Sequence, residues 1–200
     1  MCCPGAMVTS TFSSSVRGPR RRLILRSMII AADSTEQAET NPFWTFSVTL
    51  YKKPGVAQAL LDLQDSHGLD VNILLYACFA AVEQRTVSEV DASALDGVCA
   101  DWRDEVIRQL RSVRRKLAAR PDTADISKGL LQLELAAEQR QQAMIWAWHN
   151  GTSARISTLA PEACLQSNLQ SVAMAAGAVD AASLLAPLLA VLRRVLLPQD

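Results

Sequence analysis

Residues 73–82 read ILLYACFAAV, a run without a charged side chain near the middle of the sequence. Asp70 precedes this run and is a preferred helix N-cap, which predicts a helix from Val71 to about Gln84. A helix that is apolar on every side has to be surrounded by other elements. The sequence therefore predicts that this helix is the centre of the fold and that other helices cover it.

Capping and stop signals divide the flanking sequence into further helices, and no strand pattern occurs. The signals are Asn41-Pro42, Pro54-Gly55, Gly68, the Ser88 to Asp91 cap, Pro121 and Asn150-Gly151. Preferred N-caps, first-turn prolines and stop glycines account for each of them. They predict an all-α, single-domain helical bundle of about six to seven helices at residues 41–200.

The two long helices on either side of Pro121 are each predicted to bury an apolar stripe. The turn between them is short, so they should pack antiparallel. Apolar residues recur at steps of three and four, as the inward face of a helix requires. The predicted inward positions are Leu95, Val98, Trp102, Val106, Leu110, Val113 and Leu117 in the first helix and Ile126, Leu130, Leu133, Ala137, Met144 and Ala147 in the second.

The C-terminal part, from Pro161, is rich in Ala and Leu. Its longest charge-free apolar run, 181–192, has twelve residues and contains Pro187, whereas a bilayer span needs about 20. No transmembrane helix is therefore predicted. The leucine-rich face of this segment needs a cover, and we expect the protein's own bundle to supply it, with a second copy or a partner as the alternative.

Residues 1–40 precede the predicted bundle, and we expect this segment to be disordered. Residues 1–27 are rich in Ser, Arg, Pro and Gly and show no periodicity. The arginines at 20–22 resemble the start of an export signal, but Arg26 and Asp33 leave the apolar stretch that follows too short. Translation could begin at Met1 or at Met28, and the sequence leaves that choice open.

Charge and cysteine content argue against two classes of function, nucleic-acid binding and zinc binding. All charges before Met28 are Arg, so the rest of the chain has 15 basic and 20 acidic residues and a net charge of −5. A mildly acidic body argues against nucleic-acid binding. Cys78, Cys99 and Cys164 lie among apolar neighbours without the spacing of zinc ligands, which favours reduced thiols in a cytoplasmic protein. No cofactor or metal is predicted.

The stretch from Asn41 to Leu75 carries the pattern FW-x-FS-x-x-LY-x-x-PGV-x-x-ALL-x-LQD-x-x-G-x-DVN-x-LL. It resembles a family of small helical bacterial proteins that is classified as a domain of unknown function. The similarity continues more weakly through Trp102-Arg103 and residues 110–116 to Glu134 and Glu138. The resemblance implies a bacterial, cytoplasmic, helical protein, and it brings no activity, cofactor or site residue with it.

Five polar residues crowd around the junction between the second and third predicted helices: Asp62, Asp65, His67, Asp70 and Asn72. Carboxylates at this spacing are able to hold Mg²⁺ or transfer protons. Structural roles also account for them, because Asp70 caps the third helix, His67 complements the end of the second, and Asp62 and Asp65 point to its polar side. We favour the structural roles and keep the junction as the leading candidate for a ligand site.

Other charged groups have structural explanations as well. Glu134 and Glu138 lie one turn apart without the Glu-x-x-His step of di-metal bundles, so we expect a solvated face and no metal. Arg108, Arg111 and Arg115 lie opposite Trp102 and are predicted to face solvent, where they could contact an acidic partner. Their position also follows the helix dipole, since acidic residues precede them.

Trp146 and Trp148 end the helix before Asn150-Gly151. They lie on different faces of that helix, so we expect one of them to be exposed and to contact a partner or a second copy. On these grounds we favour a non-enzymatic adaptor or regulator that acts by protein–protein interaction. The alternative is a small metal- or ligand-binding enzyme that uses the Asp62 to Asn72 junction.

Overall fold

A computed structural model describes residues 41–197 and shows an all-α protein, as predicted. The α-helices are α1 (Pro42–Tyr51), α2 (Val56–His67), α3 (Val71–Val82), α4 (Glu89–Trp102), α5 (Arg108–Leu117), α6 (Ala124–Gly151), α7 (Pro161–Ala175) and α8 (Ala181–Leu196). A π-helical segment, Arg103–Ile107, joins α4 to α5 without a break, and a short 3₁₀ turn, Pro121–Thr123, precedes α6. The predicted disorder of residues 1–40 lies outside the described residues.

Helix starts follow the local signals in the sequence. The Asn41 side chain accepts a hydrogen bond from the backbone N–H of Trp44 at 3.1 Å. Asp70 accepts from the backbone N–H groups of Asn72 at 2.8 Å and Ile73 at 3.3 Å. Gly68 ends α2 with φ of 70°, a left-handed conformation that glycine adopts at little cost. The predicted capping roles of Asn41 and Asp70 are therefore confirmed.

Helix α3 is the centre of the bundle, as its apolar sequence predicted. Every residue from Val71 to Ala81 is buried, and α3 packs against α1, α2, α4, α6 and α7. Its aromatic residues Tyr76 and Phe79 both contact Phe43 of α1. The core around α3 therefore fixes the α2–α3 junction relative to α6.

Helix α8 packs on the protein's own bundle, which was the first of the two alternatives considered for it. Leu185, Leu188, Leu189 and Leu192 are buried, and α8 contacts α2 and α7. Within residues 41–197, no helix combines the length and the apolar character that a membrane span requires.

The predicted apolar stripe of the first long helix is partly wrong, and the helical phase changes between α4 and α5. A π-helical turn contains about one residue more than an α-helical turn, so everything after it rotates by about 100°. Before the turn, Leu95 is buried as predicted, but Val98 is exposed and its neighbour Cys99 is buried instead. After it, Ile107 and Arg114 are buried, one position later than the predicted Val106 and Val113, and Val113 is 45% exposed.

Helix α6 also turns a different face inward. Ala137 is buried as predicted, but Ile126 is 59% and Leu133 58% exposed. The buried positions are shared by Leu131, Leu135 and Ile145 and by polar residues, among them Glu134, Gln141 and Gln142. Because α5 presents arginines to this face, the space between α5, α6 and the α2–α3 junction is lined by charged groups.

Candidate functional site: a charged cleft beside the α2–α3 junction

A cavity of about 510 Å³ lies between the α2–α3 junction, α5 and α6. We call it the polar cleft. The end of α1 and the π-helical segment also contribute to its walls, through Tyr51 and through Arg103 and Ile107. The site residues predicted from sequence divide into two groups. Those that line the cleft are Asp65, Asp70, Asn72, Arg108, Arg111 and Arg115, and those that do not are Asp62, His67, Trp146 and Trp148.

Arg111 occupies the floor of the cleft, where it bridges α2 and α6. Its Nε donates to Glu134 Oε1 at 2.8 Å and its Nη2 to Glu138 Oε1 at 2.6 Å. Its Nη1 donates to Gln64 Oε1 at 2.7 Å. Arg114 donates to the same Glu134 from below, with Nη2 at 3.2 Å from Oε1. Two arginines of α5 and two glutamates of α6 thus form one ion-pair cluster.

This cluster corrects two sequence predictions. Glu134 and Glu138 do not form a solvated face, since Glu134 is 3% exposed and Glu138 is largely covered. Arg111 does not face solvent, because the phase change at the π-helical segment turns it toward α6. The carboxylates remain inside because arginines of a neighbouring helix neutralise them, a condition that buried charges require.

A second group of polar side chains continues the floor toward α3. Asp70 Oδ2 accepts hydrogen bonds from Arg103 Nη1 at 3.3 Å and Gln141 Nε2 at 2.6 Å. Gln141 Oε1 accepts from Asn72 Nδ2 at 2.9 Å, and Asn72 Oδ1 accepts from Gln142 Nε2 at 2.7 Å. Asp70 therefore has two roles, because one oxygen caps α3 and the other pairs with the π-helical segment.

The pKa values of the ionisable groups on the floor depend on their burial and on the charges next to them. Burial raises the pKa of Glu138 to about 7, since the loss of solvation outweighs the attraction of Arg111, and the Glu134 charge adds to the rise. Arg111 loses solvation too, but it lies between two carboxylates, and their attraction raises its pKa. Burial also raises the pKa of the Tyr51 phenol. Glu138 therefore changes its charge near neutral pH.

The mouth of the cleft is basic. Arg108 pairs with Asp104 at 2.9 Å and Arg115 with Asp65 at 2.9 Å, and both guanidinium groups are about half exposed. The prediction that Arg108 and Arg115 face solvent is thus confirmed. Lys116 is exposed on the last turn of α5 and makes no hydrogen bond or ion pair with the described part of the chain.

Asp62 and His67 lie away from the cleft. The Asp62 carboxylate accepts from Gln58 Nε2 at 2.7 Å on the exposed side of α2, and His67 is exposed in the last turn of that helix. The predicted junction is thus split, with Asp65, Asp70 and Asn72 on the cleft side. Across residues 41–197, no three His, Cys, Asp or Glu side chains lie close enough together to hold a metal ion.

The two tryptophans at the end of α6 are both partly buried against the core, so the expectation that one is exposed was wrong. Trp146 stacks on His149 with ring centroids 4.7 Å apart, and Trp148 packs edge-on against Tyr76 at 5.8 Å. Burial, together with the charge of Arg85, lowers the pKa of His149 to about 4. These side chains form an aromatic cluster, and their contact with a partner stays a prediction.

Several cleft residues were not identified from the sequence: Tyr51, Gln64, Ser112 and Gln141. One signal was available for the floor. Glu134, Glu138 and Gln141 recur at steps of four and three, which places them on one face of α6. A polar stripe on one helix and several arginines on the neighbouring helix together indicate ion pairs between the two helices.

Fold and cleft together define a class of protein, an all-helical bundle whose long helices enclose a charged cavity of ligand size. Residues 42–145 match the family described as Protein of unknown function (DUF2390), and because this is more than half of the chain, the protein belongs to that family. The resemblance to a family classified as a domain of unknown function is thereby confirmed. Every residue that lines the polar cleft lies within the matched range. No curated protein and no solved structure matches the chain.

Proposed function

We propose that this protein binds a small polar metabolite in the polar cleft. The observation that carries the proposal is a cavity of about 510 Å³ with a charged floor. Pockets for small ligands typically measure about 300–1,000 Å³ and contain a few convergent polar groups. This function corresponds to the ligand-binding alternative of the sequence analysis, with the site extended from the Asp62 to Asn72 junction to α5 and α6.

The energetics of the floor support a binding role. A buried ion pair contributes little to stability, because the desolvation of both charges offsets their attraction. Well-packed apolar residues of similar volume usually stabilise a fold as well or better. The cluster of Arg111, Glu134 and Glu138 is therefore weak evidence for a purely stabilising role, and perturbed charged groups that line a cavity are typical of functional sites.

A thermal-shift screen of polar metabolites on the full chain tests this proposal. A ligand at a hundredfold excess over its dissociation constant stabilises the folded state by about 2.7 kcal/mol. Ser112→Trp places a large side chain in the cleft wall, and Val113→Trp places the same side chain at the adjacent exposed position. We expect binding to be lost in Ser112→Trp and kept in Val113→Trp. Equal binding by both variants, or no hit in the screen, would contradict the proposal.

Protein–protein interaction is a second candidate function. The observation that favours it is the exposure of Val113, Ile126 and Leu133 on α5 and α6, at positions whose pattern is that of a buried stripe. Exposed aliphatic groups mark a contact surface where they form one contiguous patch. The free, buried thiols of the described cysteines support a cytoplasmic setting for either function.

Affinity purification from the native host tests the second candidate. The double variant Ile126→Asp with Leu133→Asp should lose any specific partner. Val90→Asp, at an exposed position on α4, is the matched control and should keep it. A partner that is retained equally by all three proteins does not bind through this surface.

A further inference from the structure

We infer that the ligand of the polar cleft is a small oxyanion, a molecule with a phosphate or carboxylate group that binds at the α5 side of the mouth around Ser112. This inference rests on the proposed function and specifies the chemical class of its ligand. It follows from which groups of the cleft are already paired, which are free, and how the free groups are spaced.

The floor of the cleft has little capacity left for a charged ligand. Arg111 uses all three of its nitrogens for Glu134, Glu138 and Gln64. Arg103 pairs with Asp70, Asp96 and Asp104. Each buried cation of the floor thus already has carboxylate partners, so the charge that selects a ligand has to come from another part of the cleft.

The groups that remain free in the cleft are mostly hydrogen-bond donors. The hydroxyls of Tyr51 and Ser112 and the ammonium of Lys116 make no hydrogen bond with the described part of the chain. Arg108 and Arg115 each direct one nitrogen at a carboxylate, and a guanidinium has five N–H donors. A ligand that satisfies these groups must supply several acceptor oxygens.

The donors on α5 are arranged around one point. Arg108 lies four residues before Ser112, and Arg115 and Lys116 lie three and four residues after it. Side chains three and four apart are neighbours on a helix surface, with Cβ atoms about 5–6 Å apart. The Ser112 hydroxyl is therefore flanked by three cations on the wall of the cleft. Phosphates and carboxylates are typically bound by this combination of guanidinium, ammonium and hydroxyl groups.

The charge at the mouth of the cleft favours an anion as well. Five cationic side chains line the cleft: Arg103, Arg108, Arg111, Arg115 and Lys116. Four carboxylates line it: Asp65, Asp70, Glu134 and Glu138. Glu138 is partly neutral at pH 7 because burial raises its pKa to about 7. Arg103 and Arg108 are also paired with Asp96 and Asp104, which lie outside the lining, so the uncompensated positive charge is that of Lys116 at the mouth, where it attracts anions.

Isothermal titration calorimetry on the full chain, in about 150 mM NaCl to screen non-specific attraction, tests the inference. The probes are inorganic phosphate, pyrophosphate and citrate, with glucose as a neutral and spermidine as a cationic comparison. We expect saturable binding of a phosphate probe or of citrate with one site per chain, and neither comparison compound should bind. Pyrophosphate binding without citrate binding identifies a phosphate ligand, and the reverse result identifies a carboxylate ligand.

Two variants and a matched control locate the site. Lys116→Gln and Ser112→Ala should each weaken binding of the anion about three- to tenfold, the range for a partly exposed charged or hydroxyl contact. Lys128→Gln removes a charge from an exposed position of α6 outside the cleft and should leave the affinity unchanged. An equal loss in Lys116→Gln and Lys128→Gln would mean that only overall charge matters, which overturns the inference.

The same measurements separate this inference from the proposed function. If a neutral or cationic metabolite binds and Ser112→Trp abolishes that binding, the cleft is supported as a binding site, but the inference that its ligand is an anion is overturned. Failure of all three anions to bind at millimolar concentration also overturns the inference that the ligand is an anion. If no probe and no metabolite of the screen binds in a way that Ser112→Trp abolishes, both the proposed function and the inference about its ligand are overturned.

Discussion

The ionisation of Glu138 should make the stability of this protein depend on pH in a way that a single substitution removes. Burial beside Glu134 raises the pKa of Glu138 from 4.5 to about 7 in the folded state. In the unfolded chain the same carboxyl regains its solvation and its ordinary pKa. The folded protein therefore holds this proton more tightly than the unfolded one, and Glu138→Gln replaces the group by one that does not titrate.

The sign of the effect follows from proton linkage. Below about pH 4.5 the carboxyl is protonated in both states, and its contribution to the free energy of unfolding is fully present. As the pH rises toward 7, the unfolded state loses its proton first, and the contribution is progressively lost. A rise in pKa from 4.5 to about 7 corresponds to about 3 kcal/mol over this interval, and above it the contribution is constant.

Urea denaturation of the wild type and of Glu138→Gln between about pH 4.5 and 8 measures this effect. The free energy of unfolding of the wild type, taken relative to the variant at each pH, should fall by about 3 kcal/mol across the interval. Other ionisable groups largely cancel in this difference. A carboxyl carbon NMR titration of Glu138 should give a midpoint near 7. A difference that is constant with pH, or that increases with it, would refute the reasoning.

Three further substitutions or reactions test the fold. Asp70→Ala should cost about 2 kcal/mol or more in chemical denaturation, because it removes the α3 cap and the acceptor of Gln141 Nε2 while Arg103 keeps Asp96 and Asp104, whereas Asp70→Asn should recover the share due to the cap. Leu188→Ala in α8 should cost about 2–5 kcal/mol as a fully buried leucine, and a loss below 1 kcal/mol would contradict the packing of α8. Burial raises the pKa of Cys78 and Cys99 to about 12, so iodoacetamide at about pH 8 should modify neither until the protein unfolds, as peptide mass mapping can verify.

The start of α3 shows how far local sequence predicts this fold. Asp70, Gly68 and the apolar run that follows were sufficient to place the helix and to identify it as central. Its cap is formed by hydrogen bonds within three residues, and its burial follows from having no polar face. Interactions of this kind depend only on neighbours along the chain, so the sequence contains all the information that they need.

The candidate site was only partly predictable. The α2–α3 junction was identified as the leading position, and Asp65, Asp70 and Asn72 do line the cleft. Asp62 and His67 do not, because the helix of α2 turns them away from α5. Sequence spacing brought these five residues together, but only the packing of α5 and α6 against the junction decided which of them share a cavity.

The sequence by itself determined the helical class, most helix ends and the central position of α3, because capping and apolar periodicity act over a few residues. Only the tertiary structure decided which faces of α5 and α6 turn inward. The π-helical segment rotates Arg111 and Arg114 toward α6, where they meet Glu134. Apolar periodicity identifies the buried face of a helix only when the charged side chains stay at the surface. Here Arg114 and Arg111 are paired with Glu134 of another helix, which lies 20 and 23 positions further along the chain. Whether these residues meet depends on how each helix is rotated about its axis. The extra residue in the π-helical turn changes that rotation for α5.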